Sequence, residues 1–181
     1  CHAGNAGMCF IDSIELDELH FPIMVSERRL VPDTEGAGRT TGAPSGYCEY
    51  GPVGDNSVDV AFVADGAVNT AKGARGGHAG AGIANLLRRK NGKQETLPAV
   101  AIVELKPGER IGSYTAGGGG YGPPHERPAD VVLCDVREGW ISTDRAANVY
   151  GVVLDAAGEL DETRTAKLRA RLARSATKAP S

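Results

Sequence analysis

Phe21, Ile23 and Val25 alternate with Pro22, Met24 and Ser26, the period-two pattern of a half-buried strand. Tyr47 to Tyr50 and Ser57 to Ala64 read as two further strands, the second placing Val58, Val60 and Phe62 on one face. Asp65-Gly66 is a hairpin signal between strands, and Asn91-Gly92 is a second tight-turn signal. Gly82 to Arg89, apolar and then basic, suits a strand or one short helix. Val100 to Leu105 and Arg110 to Thr115 are short strands parted by Lys106-Pro107-Gly108. Between these elements, Asp33 to Gly46 is turn-rich, and Gly73 to Gly82 is too rich in glycine for a regular element.

The period then changes. Ser142 is placed to cap a helix running through Asn148 and stopping near Gly151, and Gly151 to Leu154 reads as a last apolar strand. Asp161 caps a helix whose Ala166, Leu168, Leu172 and Ala173 share one broad face. The expected fold class is α+β, mainly antiparallel β with long Gly-rich loops and a C-terminal helical appendix. Residues 1–181 are expected to form a single domain: a Gly-rich and acidic segment at 1–20, a β-rich body at 21–141 and a helical tail at 142–181.

Composition changes this picture in two places. Glycine supplies 25 residues, about twice the usual share, while aromatic residues make up 5%. Such a chain has many turns and few large core anchors, which points to support from a partner surface. The net charge of −3 is uneven, because residues 161–181 hold six bases against two acids. No aromatic residue interleaves with those bases, so a solvated helix end is favoured over nucleic-acid binding. The acidic run of Asp12, Glu15, Asp17 and Glu18 reads as a solvated face or a partner contact. No stretch reaches the roughly 18 apolar residues of a membrane helix, and no signal peptide is visible. Cys1, Cys9, Cys48 and Cys134 are scattered, without CxxC or zinc-finger spacing. Reduced thiols in a cytoplasmic chain are the expectation, with the last three cysteines small buried apolar residues. His20, His78 and His125 stand alone, without a metal-binding partner at helical spacing.

Residues 117–154, GGGGYGPPHERPADVVLCDVREGWISTDRAANVYGVVL, carry a long ordered set of unusual residues. Gly117 to Gly120, Tyr121, Gly122, Pro124, Glu126, Arg127, Asp135, Val136, Gly139, Ala146, Tyr150, Gly151 and Val152 resemble the C-terminal signature of the hydantoinase B / 5-oxoprolinase family. Asp33 to Arg39 resembles that family's Asp-Ser-Gly-Gly-Ala-Gly-Arg, and Gly73 to Gly80 its second glycine loop. Glu15 and Glu18 before Phe21-Pro22 resemble its spaced glutamates. Thr41-Gly42-Ala43 departs from the usual Arg-Gly-Gly, and Pro123 from the usual Asp. The resemblance is to the last third of family members.

The resemblance implies a subunit of an ATP-dependent hydrolase of cyclic amides such as hydantoins, lactams or 5-oxoproline. A related ATP-dependent ketone carboxylase subunit and a non-catalytic structural subunit are the alternatives. It implies ATP and Mg on a hydantoinase A-like ATPase subunit. It also implies a divalent metal (Zn, Mn or Fe) held mainly by a chain carrying the N-terminal part of hydantoinase B. A small-molecule substrate is implied, and neither nucleic acid nor membrane.

Such chemistry needs groups that hold a phosphate or an oxyanion. Glycine N–H groups approach ligands closely, so Gly117, Gly118, Gly119 and Gly120 are a candidate cradle, with Arg39, Arg75 or Arg127 as a charge clamp. The competing readings are that the run packs backbones together and that Arg127 forms a structural ion pair beside Glu126. Cys1-His2-Ala3-Gly4-Asn5 matches a segment that lies mid-chain in the family. A Cys at an N-terminus can act as nucleophile with its own α-amino group as base, with His2 and Asn5 as neighbours. A split gene or an arbitrary start gives the same terminus. His2 is also a candidate metal ligand completed by another chain.

Overall fold

A computed structural model describes residues 13–176 of the chain. Those residues fall into two compact units. The first takes the chain up to Arg28, Cys48–Val63 and Asn85–Ser113. The second takes Arg29–Tyr47, Ala64–Ala84 and the chain from Tyr114 onward.

The strands are β1 (Ile23–Val31), β2 (Ser45–Pro52), β3 (Val58–Val63), β4 (Ala84–Arg88), β5 (Gln94–Leu97), β6 (Val100–Leu105) and β7 (Arg110–Tyr114). Five of them form a sheet in the order β1-β2-β7-β4-β5, and β3 pairs with β6 in a separate two-stranded sheet. The first unit's core is Leu87, Leu105 and Ile111, onto which Val60 and Phe62 of β3 and Val103 of β6 pack. The face that β3's alternation assigns to Val58, Val60 and Phe62 is therefore the half-buried face observed.

Charge supports this small core at its border. Glu49, buried in β2, receives the Ser26 hydroxyl at 3.0 Å and lies 3.4 Å from Arg88. Glu109 accepts Arg89 at 3.1 Å and the Lys106 N–H at 3.1 Å. Burial alone would raise the Glu109 pKa, but these hydrogen bonds and the Arg89 charge outweigh it and hold the carboxyl below its ordinary range.

Asn91-Gly92 makes the expected tight turn. Gly92 has φ +83, which glycine adopts without a Cβ penalty, and the antiparallel β4–β5 pair begins at Arg88 and Gln94. Asp65-Gly66 makes no hairpin. Gly66 turns, but its carbonyl accepts the Ile83 N–H at 3.3 Å, and β3 finds its partner in β6 with Val63 opposite Val100. The segment of Asp12, Glu15, Asp17 and Glu18 contains a short helix, α1 (Ile14–His20). Its Glu18 carboxylate accepts the Val25 N–H at 2.8 Å, which ties it to β1.

The second unit contains a 3-10 turn (Pro124–Glu126) and the helices α2 (Ala129–Arg137), α3 (Thr143–Asn148) and α4 (Glu162–Ala176). Ser142 caps α3 by accepting the Arg145 N–H at 3.0 Å, and Asp161 caps α4 by accepting the Arg164 N–H at 2.8 Å. α2 was not expected from the pattern, although Ala129, Val132 and Val136 stand at helical spacing and meet the core. Gly151 to Leu154 is not a strand. The Val152 N–H is taken by the Ala146 carbonyl and the Val153 N–H by the Thr165 hydroxyl, leaving one bridge between Leu154 and Leu160. The unit's core is Ala37, Val132, Ile141, Ala146, Tyr150 and Val152. No helix among the described residues is long and apolar enough to cross a membrane.

Candidate functional site

Three glycine-rich loops of the second unit meet along one strip. Gly117 to Gly120 is threaded between the loop around Thr34–Ala43 and the loop around Ala71–Ala81. The Gly117 N–H donates to the Ala81 carbonyl at 2.9 Å, Gly118 to Ala43 at 2.8 Å and Gly120 to His78 at 2.9 Å. The Gly36 N–H returns a bond to the Gly118 carbonyl at 2.8 Å, and the Ala74 N–H one to the Gly120 carbonyl at 2.9 Å. A Cβ on any of Gly117, Gly118, Gly119 or Gly120 would fall within 3.0 Å of a backbone atom of a neighbouring loop. The same holds for Gly36, Gly42, Gly77 and Gly80 on the facing loops, while a Cβ on Gly73 would meet the backbone of Gly77 and His78 in its own loop. Backbone meets backbone here because no side chain stands between. Of the four N–H groups in the run, Gly119's alone has no acceptor among the described residues.

The strip ends at Tyr121, which exchanges both backbone hydrogen bonds with Thr40 at 2.8 and 3.0 Å. This pairing brings two of the expected arginines to one place. The Arg39 N–H donates to the Gly122 carbonyl at 3.2 Å, and the Arg75 guanidinium lies 5.8 Å from the Tyr121 ring centre. Arg75 also holds φ +49, a left-handed backbone that costs a non-glycine residue energy. Among the described residues, the half-exposed Arg39 side chain has only Glu126, at 4.0 Å, as a counter-charge.

Arg127 has a different environment. Its Nε and Nη2 both donate to one Asp135 oxygen, at 2.9 and 2.8 Å, and its Nη1 reaches the Arg39 carbonyl at 3.4 Å. Its own carbonyl accepts Arg169 of α4 at 2.6 Å. The ion pair expected beside Glu126 is thus made with Asp135 on α2, and Glu126 faces Arg39 instead.

Behind the strip lies a polar cluster that residue pattern alone does not single out. Glu35 is 4% exposed. Its Oε1 accepts the Arg145 Nε at 2.7 Å and the Tyr150 hydroxyl at 2.8 Å, and its main-chain carbonyl accepts Arg145 Nη2 at 2.8 Å. Burial, the Glu35 charge and the hydrogen bond to it all raise the Tyr150 pKa far above the ordinary phenol value. Glu35 Oε2 has no partner among the described residues. Glu35 lines a cavity of about 20 Å³ with Thr41, Asp135 and Trp140, which is room for one water molecule. The available signal was a lone acid inside the otherwise uncharged stretch from Thr34 to Gly38.

Asp33 fixes this loop from the other side. It holds φ +63, donates its N–H to the Trp140 carbonyl at 3.2 Å and accepts the Ser142 N–H on its carboxylate at 2.7 Å. The remaining candidates are not brought together. Cys1, His2, Asn5 and Cys9 lie outside the described residues. Cys48 is half-buried in β2, where burial raises its thiol pKa, while Cys134 is exposed on α2 rather than buried as expected. Among the described residues no three His, Cys, Asp or Glu side chains converge as a metal site.

The interlocked glycine loops, with their Tyr-Gly and Glu-Arg border, define a class of protein module. The chain belongs to the hydantoinase B/oxoprolinase family, whose model matches residues 1–124. It is 34% identical over 174 residues to the beta subunit of caprolactamase from Pseudomonas jessenii, a match covering 91% of this chain and 29% of that one. It is 30% identical over 178 residues to a protein of a Pseudomonas species named for the B component of a D-/L-hydantoinase, covering 92% of this chain and 30% of the relative. In the crystal structure of ATP-dependent caprolactamase from Pseudomonas jessenii the same fold recurs with a TM-score of 0.74 at 30% identity, over 87% of this chain and 28% of that one. The nucleotide-free structure of acetone carboxylase shares the fold at a TM-score of 0.71 and 22% identity, over 94% of this chain and 27% of that one. The chain therefore spans about three tenths of the length of the curated relatives it matches.

Proposed function

We propose that this chain is part of an ATP-dependent hydrolase of cyclic amides and shares its active site with longer partner chains. The observation that carries the reading is its likeness along nearly all its length to the beta subunit of caprolactamase. The hydantoinase relative widens the substrate class to cyclic amides, because caprolactam and hydantoin both present a ring carbonyl bonded to nitrogen. A cytoplasmic setting, where ATP is available, accompanies this reading.

A ring amide resists attack because the nitrogen lone pair is delocalised onto the carbonyl. Phosphorylation of the carbonyl oxygen, for which ATP on a hydantoinase A-like subunit supplies the group, makes that oxygen a leaving group. Attack of the Cys1 thiolate at the carbon expels phosphate and leaves a ring thioimidate. Addition of water and protonation of the nitrogen then break the C–N bond to give a thioester. A second water releases the carboxylate and restores the thiol. In this scheme the chain's own part is to hold negative charge and to shape the cavity wall. Arg39, with Arg75 across Tyr121, supplies cationic groups, and the Gly119 N–H is the one donor of the glycine run that no acceptor among the described residues takes up. Gly117, Gly118 and Gly120 use their N–H groups to fix the loops, and Arg127 holds Arg39's main chain in place. Cys1, His2 and Asn5 are the proposed catalytic groups, with the Cys1 thiolate as nucleophile. The metal implied by the family finds no ligand set among the described residues.

The test is turnover by the assembled enzyme of caprolactam, hydantoin and 5-oxoproline, following ring-opened product and ADP together. Ring opening that requires ATP is expected, and Arg39→Ala lowers kcat/KM by about tenfold or more. Consumption of bicarbonate with a ketone, in place of ring opening, would assign the carboxylase chemistry instead. Full activity of a Cys1→Ala enzyme would remove the nucleophile and leave His2 and Asn5 as the residues to vary.

A further inference from the structure

The two-stranded sheet has one face packed and one face bare. Alternation sends Val60, Phe62 and Val103 to the first unit's core. The opposite face carries Ala61, Val63, Val100 and Ile102, in register with Val63 across from Val100 and Ala61 across from Ile102. Val63 is 83% exposed, Val100 64% and Ile102 79%. Isolated exposed apolar residues are ordinary, but three large β-branched residues adjoining on one sheet face form a continuous strip. The strip ends in a second anomaly. Asp59 and Glu104 face each other across the same pair of strands, and neither has an ion-pair partner among the described residues. Like charges directly opposite on a sheet destabilise it. An incoming cation would convert that repulsion into attraction.

We infer that this face of β3 and β6 is the docking surface for the part of a hydantoinase B polypeptide that lies outside the region matched here. The occupant is an apolar surface bordered by at least one Lys or Arg, which meets Asp59 and Glu104. Two facts select it over other occupants. Relatives carry about seven tenths of their length beyond this region, which is ample chain to cover an apolar strip of this size. A second copy of this chain meeting face to face would bring four carboxylates together rather than a compensating cation. The inference rests on the proposed membership in a larger assembly, but its test does not use activity.

A photo-crosslinking residue is placed at Ile102 in the assembled enzyme, a position exposed enough to accept it without disturbing the fold. The expected product joins Ile102 to a peptide of hydantoinase B outside the matched region. Crosslinks only to a second copy of this chain, to residues 1–12 of the same chain or to the ATPase subunit would overturn the assignment, as would none at all. In parallel, Ile102→Lys should weaken assembly by about tenfold or more, measured by light scattering on dilution. Asp59→Lys should weaken it while leaving the circular dichroism spectrum unchanged. Wild-type assembly of both variants would also overturn the inference. Loss of lactam hydrolysis as the function, with the crosslink intact, would leave the surface standing.

Discussion

The two units of this chain solve the same packing problem with different materials. The first buries Leu87, Leu105 and Ile111 between sheets and rings them with Glu49, Glu109 and arginines. The second packs Tyr150 in a cluster with Ala37, Val132, Ile141, Ala146 and Val152, and sets glycine backbones directly against one another. One unit is stabilised where side chains fill space, and the other where side chains are missing. The contrast explains how a chain with so few aromatic residues still closes a core.

The contrast breaks most sharply at Gly119. Its Cβ would run into the Lys72 and Ala71 carbonyls, so Gly119→Val should cost about 4 kcal/mol or more and unfold the second unit. Thermal melting and assembly report the loss. An assembled but inactive variant would instead show that the loop yields and that Gly119 serves the anion. Gly46→Ala is the control, since its Cβ would meet nothing nearer than the Thr115 hydroxyl at 3.6 Å and should change stability by about 0.5 kcal/mol or less.

In the first unit the corresponding break is Leu105→Ala, expected to cost about 2–5 kcal/mol through the cavity it leaves. Urea titration checks this, and a cost comparable to Gly46→Ala would mean that the apolar core is not what holds that unit.

Tyr150→Phe sharpens the comparison on the polar side. It removes one donor from the buried Glu35 carboxylate and should cost about 1–3 kcal/mol. The folded pKa of Tyr150 is raised, so its contribution is complete below the ordinary phenol value of 10.0 and is lost as pH rises above it. Wild type should therefore lose stability in alkali more steeply than Tyr150→Phe. The smallest effect is expected at Glu109. Its folded pKa is lowered from 4.5, so its contribution is complete above that value and falls away as pH drops through the folded pKa. Glu109→Gln should flatten the acid limb of the stability curve, and an unchanged limb would assign acid lability to other carboxylates.

The legible part of the fold was the part governed by local periodicity and capping. Strands β3, β6 and β7 and the capped helices α3 and α4 follow from alternation and from Ser142 and Asp161. The pairing of β3 with β6, which brings Val63 opposite Val100, was not legible, because Asp65-Gly66 is as good a local turn as Asn91-Gly92. The competing bond from Ile83 at Gly66, and the Asn91 side chain that accepts the Lys93 N–H at 3.0 Å, distinguish them. At the candidate site, the glycine run and Arg39 were visible as residue types. The Glu35–Arg145–Tyr150 cluster was not, because its members are 110 and 115 residues apart and only the fold unites them.

That separation also sets an order of events. As the chain leaves the ribosome, Glu35 emerges well before Arg145 and Tyr150, and its loop has no glycine strip to grip until residue 117 appears. At typical elongation rates of about 5–20 residues per second, the loop waits several seconds for its partners. Burying the carboxylate earlier would strand its charge without a donor, so the loop is expected to remain hydrated until Arg145 and Tyr150 have been synthesised. Closure of the second unit is therefore expected to follow synthesis of residue 150, with long-range contacts forming last.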